Sequence, residues 1–133
     1  MIVLTFGVFD LLHVGHIELF RRAKELGDYL MVAVQDDESV RKYKPGVTPV
    51  LNTADRACLV QSIRYVDQVA VYKDVDVFVR QVDFDILVTG PDQTHAGFLR
   101  AIEWCREHGK RTVVLSRTEG ISSSFLKSII KQR

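Results

Sequence analysis

Residues 2–27, which read IVLTFGVFDLLHVGHIELFRRAKELG, decide the fold that we predict for this chain. The run IVLTF at 2–6 is apolar without interruption, as in a strand buried on both faces of a parallel sheet. After a loop, a helical period places four apolar residues on one face: Ile17, Phe20, Ala23 and Leu26. Gly27 is a natural end for this helix. A buried strand, a loop and an amphipathic helix form the first unit of an α/β fold.

Four further apolar runs have the same character, at 29–34, 68–72, 85–90 and 111–116. Helical stretches follow at 53–64 and 96–108, and a capped amphipathic helix at 121–131 closes the chain. This alternation predicts a single domain over 1–133, a Rossmann-like doubly wound five-stranded parallel sheet with helices on both faces. Residues 41–52 contain two prolines and a glycine, so we expect an irregular loop there, of the kind that often covers a site.

Composition excludes several classes of protein. The chain has 133 residues, 18 Lys plus Arg against 17 Asp plus Glu, and 47% hydrophobic content, which describes an ordinary soluble domain. A formal charge of +1 argues against a dedicated binder of nucleic acid or of a membrane surface. Neither a leader segment nor an apolar run of membrane-spanning length is present, so we expect a cytoplasmic protein. Cys58 and Cys105 stand far apart, so neither a redox pair nor a zinc site is predicted.

Two loops carry residues suited to phosphate. His13 and His16 are three residues apart, with Gly15 between them, where the first helix is expected to begin. A helix N-terminus, a glycine and two imidazoles suit an anion, although capping or core histidines would give the same pattern. Arg117 and Thr118 precede the serine-rich start of the last helix, which fits a second anion site or plain N-capping. Both loops follow strands, so a doubly wound sheet can bring them together.

Together, HVGH and RTEGISSS resemble the HxGH and RTxGIST signatures of the cytidylyltransferases, and the chain is most similar to the bacterial glycerol-3-phosphate cytidylyltransferase type. The resemblance runs from residue 2 to about residue 131 and includes IRYVD at 63–67. It implies transfer of CMP from CTP to a phosphorylated alcohol, glycerol 3-phosphate first among them, by in-line attack without a covalent intermediate. A phosphomonoester with a second pKa of about 6 is already largely ionised at pH 7, so this attack needs no general base.

The resemblance also implies roles for individual residues. The catalytic set would be His13, His16, Lys42, Lys44 and Arg117. The nucleotide-binding set would be Thr5, Phe6, Gly7, Val8, Phe9, Asp10, Gly15, Gly90, Asp92, Thr118, Ile121, Ser122 and Ser123. The acceptor-binding set would be Asp37, Arg56 and Arg64. Mg²⁺ is expected with CTP, although no carboxylate cluster predicts a dedicated metal site. A homodimer is implied as well. For the two lysines, the alternative interpretation is a solvated loop.

Three features depart from the glycerol-phosphate pattern, which commonly reads HWGH and GDDW. This chain has Val14 in HVGH, Pro91 and Gln93 in GPDQ, and a following stretch that resembles sugar-phosphate or flavin-type nucleotidyltransferases. The alternatives are therefore a cytidylyltransferase for another phospho-alcohol or sugar phosphate, an ATP-dependent adenylyltransferase of the same fold, and a non-catalytic nucleotide-binding module. The RTEGIS element favours cytidylyl transfer over the second, and pyrophosphate release would exclude the third.

Overall fold

A computed structural model of the chain describes residues 1–117 and 123–132, with only the backbone described at 123–125. The strands are β1 Ile2–Gly7, β2 Tyr29–Gln35, β3 Gln68–Tyr72, β4 Ile86–Thr89 and β5 Arg111–Val114. The helices are α1 Val14–Glu25, α2 Asp37–Tyr43, α3 Thr53–Gln61, α4 Val75–Phe78, α5 Ala96–Glu107 and α6 Ser123–Gln132. Each of the five predicted strands is present within a residue or two of its expected bounds. Within the described ranges, no helix is long and apolar enough to cross a membrane.

The five strands form one parallel sheet in the order β3-β2-β1-β4-β5, which confirms the predicted doubly wound fold. Strand β1 lies at the centre, where Val3 pairs with Leu30 of β2 on one side and with Ile86 of β4 on the other. The chain moves outward from β1 to β3 and then crosses back to β4. The carboxyl ends of β1 and β4 therefore form the switch point, where such sheets bind their ligands.

Alternate side chains of the strands enter two cores, one on each face of the sheet. Leu4 and Phe6 pack toward α4 and α5, whereas Val3 and Val32 pack toward α1 and α3. Phe20 of α1 is fully buried in the second core, and its truncation to Ala would cost about 3–5 kcal/mol. These two cores fix the strands and thereby the positions of the loops at their carboxyl ends.

Helix α2 corrects the prediction of an irregular segment from residue 41. Asp36 caps the helix, because its carboxylate accepts a hydrogen bond from the Ser39 amide at 2.8 Å, and the helix continues to Tyr43. Pro45 and Gly46 then end it, as expected of those residues. The consequence is that Lys42 lies in the last helical turn and Lys44 at its C-cap, instead of in a loop.

Candidate active site

His13 and His16 hold each other at the start of α1. His13 is the N-cap residue, and its Nδ1 accepts a hydrogen bond from the Gly15 amide at 3.0 Å. In return, the His13 amide donates to Nδ1 of His16 at 3.2 Å. The two rings stack with their centroids 3.9 Å apart and their planes 26° from parallel. The helix start thus fixes both imidazoles at the carboxyl end of β1.

This geometry sets the protonation state of the two rings. A neutral imidazole whose Nδ1 accepts a hydrogen bond carries its proton on Nε2. Burial, with a smaller contribution from His13, lowers the pKa of His16 to about 4, and burial also lowers the pKa of His13. Both rings are therefore neutral at pH 7. Capping occupies Nδ1 and leaves Nε2–H as the donor, so the capping and the anion-binding interpretations are compatible.

The loop before the histidines has an unusual backbone. Phe9 and Leu11 have φ angles of 55° and 50°, in the left-handed region that side chains of this size rarely adopt. The Phe9 ring packs edge-on against His16 with centroids 5.4 Å apart. A Cβ at Gly7 would lie 2.6 Å from that ring, so glycine is needed for this packing. Gly7 and Phe9, both predicted to bind nucleotide, thus support the His16 ring from below.

Asp10 is 4% exposed and connects three segments. Its carboxylate accepts hydrogen bonds from the amides of Val50 at 2.8 Å and Leu51 at 3.0 Å, and it pairs with Lys127 of α6 at 2.7 Å. Burial alone would raise the pKa of Asp10, but Lys127 and the two amides hold it below its ordinary value. These contacts support a role in fixing the loop instead of direct nucleotide binding.

Arg56, to which the resemblance assigns acceptor binding, is fully buried in this structure. Its Nη1 donates to the carbonyl oxygens of Val8 and Gln35, both at 2.8 Å, and its Nε donates to that of Leu51 at 3.0 Å. Its Nη2 pairs with Asp37 at 2.7 Å. The predicted acceptor residues Arg56 and Asp37 therefore bind each other and tie the loops after β1 and β2 to the start of α3.

Arg64 lies at the end of the sheet opposite to the histidines. It follows α3, and the central carbon of its guanidinium lies 5.1 Å from the centroid of the Tyr65 ring. The neighbouring Asp67 contacts Leu30 at the start of β2, where its amide donates to the Leu30 carbonyl at 2.9 Å. The amino ends of the strands lie at this edge, whereas the histidines lie at the carboxyl ends. Within one chain, the structure does not bring Arg64 together with the other predicted site residues.

Lys42 and Lys44 are exposed at the end of α2, which is fixed by the tyrosine between them. The Tyr43 hydroxyl donates to Asp74, which follows β3, and its ring stacks on His95 at 6.2 Å. Burial, with smaller contributions from Lys44 and Arg100, lowers the pKa of His95. The sequence analysis assigned no role to Tyr43 or to His95. The available signal was that Tyr43 lies between two candidate lysines and His95 follows a strand.

At the switch point, Gln93 joins the ends of β1 and β4. Its amide nitrogen donates to the Phe6 carbonyl at 2.8 Å, and its amide oxygen accepts from the Gly90 amide at 3.0 Å. The side chain of Phe6 is buried in the core. That of Thr5 is buried too, and its hydroxyl donates to the Val88 carbonyl at 3.1 Å. The side chains of Thr5 and Phe6 therefore support the site from inside the sheet and do not line it.

The chain after β5 contacts both α1 and the loop after β4. Arg22 of α1 donates to the Ser116 carbonyl at 3.0 Å, which ties the histidine helix to the chain after β5. Arg117 forms an ion pair with the exposed Asp92, which follows β4. The predicted residues Thr118, Ile121 and Ser122 lie outside the described residues, as does the side chain of Ser123.

In the part of the chain that is described, no three carboxylate, histidine or cysteine side chains are grouped to hold a metal ion.

Comparisons with known proteins place this chain in a family. A family model described as cytidylyltransferase-like matches residues 4–129. The glycerol-3-phosphate cytidylyltransferase of Staphylococcus aureus is 40% identical over 130 residues, covering 94% of this chain and 91% of that protein. The FAD synthase of Thermococcus kodakarensis is 48% identical over 94 residues, covering 68% of this chain but only 62% of that protein. The crystal structure of a lipopolysaccharide core biosynthesis protein from Thermoplasma volcanium superposes with a TM-score of 0.78 at 29% identity, covering 90% of this chain and 98% of that one.

Proposed function

The chain belongs to the cytidylyltransferase-like family of nucleotidyltransferases, and from that premise we propose that it transfers CMP from CTP to a phosphorylated alcohol, glycerol 3-phosphate first among them. An oxygen of the acceptor phosphate attacks the α-phosphorus of CTP, and the bond from that phosphorus to the bridging oxygen of pyrophosphate breaks. The products are a CDP-alcohol and pyrophosphate. The acceptor phosphate is largely ionised at pH 7, so the protein supplies position and charge instead of a base.

The pairing of His13 and His16 carries this proposal. Both rings are neutral donors through Nε2 at the N-terminus of α1, beside the switch point of the sheet. Preorganised donors of this kind stabilise charge that develops on the phosphate oxygens of the transition state, since they need no reorientation during the reaction. A helix N-terminus adds a partial positive charge to the same place.

The cations near the site have complementary roles in this proposal. Lys42 and Lys44 extend from the end of α2 and neutralise charge on the triphosphate. Arg117 approaches from the other side of the switch point, where its partner Asp92 is exposed and available to a ribose or base. Exchange of the Arg117–Asp92 pair for contacts with the nucleotide costs little, because exposed ion pairs contribute at most about 1 kcal/mol.

Magnesium enters this reaction with the nucleotide. Three acidic residues that follow strands of the sheet have cationic partners: Asp10 pairs with Lys127, Asp37 with Arg56 and Asp92 with Arg117. The chemistry of this donor set fits a metal ion held chiefly by phosphate oxygens and water, as Mg²⁺ usually is in sites that bind nucleotides. In that case the ion neutralises part of the triphosphate charge, and the residues of the chain position the triphosphate.

The test is pyrophosphate release with each of CTP, ATP, GTP and UTP in the presence of Mg²⁺. The acceptors would be glycerol 3-phosphate, other phosphorylated alcohols and phosphorylated sugars. We expect turnover with CTP and glycerol 3-phosphate. Turnover with CTP and a different acceptor would support cytidylyl transfer but reject glycerol 3-phosphate as the acceptor. Absence of release with every nucleotide would reject catalysis and leave a nucleotide-binding module.

A second candidate is adenylyl transfer from ATP to a flavin or sugar phosphate. The observation that favours it is the 48% identity with an archaeal FAD synthase over 94 residues, which exceeds the identity with the cytidylyltransferase over a longer match. The RTEGISSS segment argues for the cytidylyl reaction. The nucleotide panel decides between them, because release with ATP alone would establish the second candidate.

We also propose that the protein is a homodimer, as the family resemblance implies. Arg64 is exposed at the amino edge of the sheet, so it could reach an acceptor only in an active site other than that of its own chain. Light scattering of the purified protein would measure the mass in solution. A monomeric mass would exclude any role for Arg64 in acceptor binding.

A further inference from the structure

We propose that Lys127 of α6 is a positioning residue whose ion pair with Asp10 couples the docking of the C-terminal helix to the geometry of the histidine loop. The inference rests on the proposed nucleotidyl transfer only for its kinetic measurement. Lys127 belongs to none of the three predicted site sets, and its ammonium lies 2.7 Å from the Asp10 carboxylate.

The first support is the burial of Asp10. Its side chain is 4% exposed, so its charge has little access to water and depends on the protein for stabilisation. The two backbone amides of Val50 and Leu51 provide neutral donors, and Lys127 provides the opposite charge. Removal of the charged partner of a buried carboxylate is therefore expected to be destabilising.

The second support is the position of this carboxylate in the chain. Asp10 is three residues before His13, between Phe9 and Leu11, which both have positive φ angles. A loop in this conformation persists only where its surroundings hold it. Asp10 also fixes Leu51, whose carbonyl accepts from the buried Arg56. The Lys127 contact therefore acts on the histidine loop and on the segment before α3 at once.

The third support is the packing of α6. Leu126, Ile129 and Ile130 of this helix line an apolar groove together with Leu11 and Leu12. The groove is open to solvent and Ile130 is 61% exposed, so part of the apolar face of α6 is left unburied. The ion pair at Lys127 therefore adds a charged contact to the partial apolar packing between α6 and the histidine loop.

The experiment compares Lys127→Met with Lys131→Met, which removes an exposed charge one turn further along the same helix. Hydrogen exchange of the Val50 and Leu51 amides is measured in the free protein, without substrate. We expect exchange at these two amides to accelerate about tenfold or more in Lys127→Met, since their acceptor loses its fixed position. Lys131→Met should match the wild type, and Lys127→Arg, which keeps the charge, should stay within about threefold of it.

The kinetic measurement is made on the same variants with CTP and the acceptor. Lys127→Met should lower kcat about tenfold or more while KM for CTP changes less, because the histidines stabilise the transition state more than the ground state. Lys127→Arg should recover most of kcat. A chain that catalyses no transfer would still give the exchange result, so failure of the proposed function and failure of this inference are distinguishable.

A double-mutant comparison keeps the test decisive if Lys127→Met does not fold. In an Asp10→Asn background the carboxylate charge is absent, so adding Lys127→Met should change exchange at Val50 and Leu51 by less than about twofold. A large change in that background would overturn the proposal, because Lys127 would then act through another contact. Unchanged exchange in a folded Lys127→Met single variant would overturn it as well.

Discussion

The Nδ1 atoms of His13 and His16 both accept hydrogen bonds from backbone amides in the first turn of α1. Nδ1 of His13 accepts from the Gly15 amide at 3.0 Å, and Nδ1 of His16 accepts from the His13 amide at 3.2 Å. The same contacts that cap α1 also orient both imidazoles and select the tautomer with its proton on Nε2. Structural capping and phosphate binding thus use different nitrogens of the same side chains. The predictions below separate these two contributions.

Replacement of His16 by Ala should lower kcat by about 10² or more, the scale of losing one preorganised donor to developing charge. The change also removes a cap contact from α1, which costs about 0.5–2 kcal/mol of unfolding free energy and leaves the protein folded. Steady-state pyrophosphate release and circular dichroism measure the two effects. His108→Ala, at the far end of α5, is the matched control and should keep wild-type turnover. Equal turnover of both variants would reject the role of His16.

The free energy of unfolding should fall as the pH drops from 6.5 toward 4, because of His16. Burial lowers its folded pKa to about 4, so in this range the unfolded chain binds a proton that the folded chain does not. The contribution is fully present above the unfolded pKa of 6.5 and is lost as the pH falls toward the folded value. Between pH 6.5 and pH 5, the loss of unfolding free energy amounts to about 2 kcal/mol. Urea unfolding at pH 7 and pH 5 should therefore show a steeper loss in the wild type than in His16→Ala, and parallel losses would contradict the shift.

Replacement of Tyr43 by Phe should lower kcat/KM for CTP by about three- to tenfold, the effect of losing one hydrogen bond to a charged partner. The variant keeps the ring against His95 but loses the hydroxyl contact with Asp74 that fixes the end of α2. The positions of Lys42 and Lys44 at the end of α2 would then be less fixed. Tyr29→Phe is the matched control, because its hydroxyl contacts Gln68 at the opposite edge of the sheet. A loss of the same size in both variants would show that Tyr43 has no specific role.

Replacement of Arg56 by Lys should destabilise the fold and affect the acceptor KM far less. A lysine cannot reproduce the fork that serves the carbonyl oxygens of Val8, Gln35 and Leu51 together with Asp37, so buried acceptors lose their donors. We expect a loss of about 2–4 kcal/mol in unfolding free energy, on the scale of a broken buried pair. Urea unfolding and acceptor titration measure both quantities. Wild-type stability with a raised acceptor KM would restore the acceptor-binding interpretation.

The fold could be predicted from the sequence because the evidence for it is local. Continuous runs such as IVLTF and YLMVAV indicate strands buried on both faces, and the amphipathic helices between them require a parallel sheet. Helix α2 was missed, since Pro45 and Gly46 suggested a loop for the whole segment. Its start depends on the Asp36 cap, which directly follows a strand and is hard to separate from a polar loop residue.

The candidate site could be predicted only in part, because charged residues inside a protein look the same in sequence as charged residues outside it. The placement of His13 and His16 followed from a motif and a helix start. Arg56 was predicted to bind the acceptor; it is fully buried, and one of its contacts lies 48 residues away in the chain. The Asp10–Lys127 pair is equally non-local. Contacts of this kind depend on the packing of the whole sheet and have no local pattern.

Nitrogen-15 NMR of the imidazole rings tests the central claim most directly, namely that His16 is a neutral donor through Nε2 to a nucleotide phosphate. The spectra are recorded as a pH titration of the wild type, with and without CTP and Mg²⁺, and His16→Ala provides the assignment. We predict that His16 has its proton on Nε2, a pKa well below 6.5, and an Nε2 signal that shifts when CTP binds. A proton on Nδ1, an ordinary pKa, or an Nε2 signal that responds to no nucleotide would contradict the account.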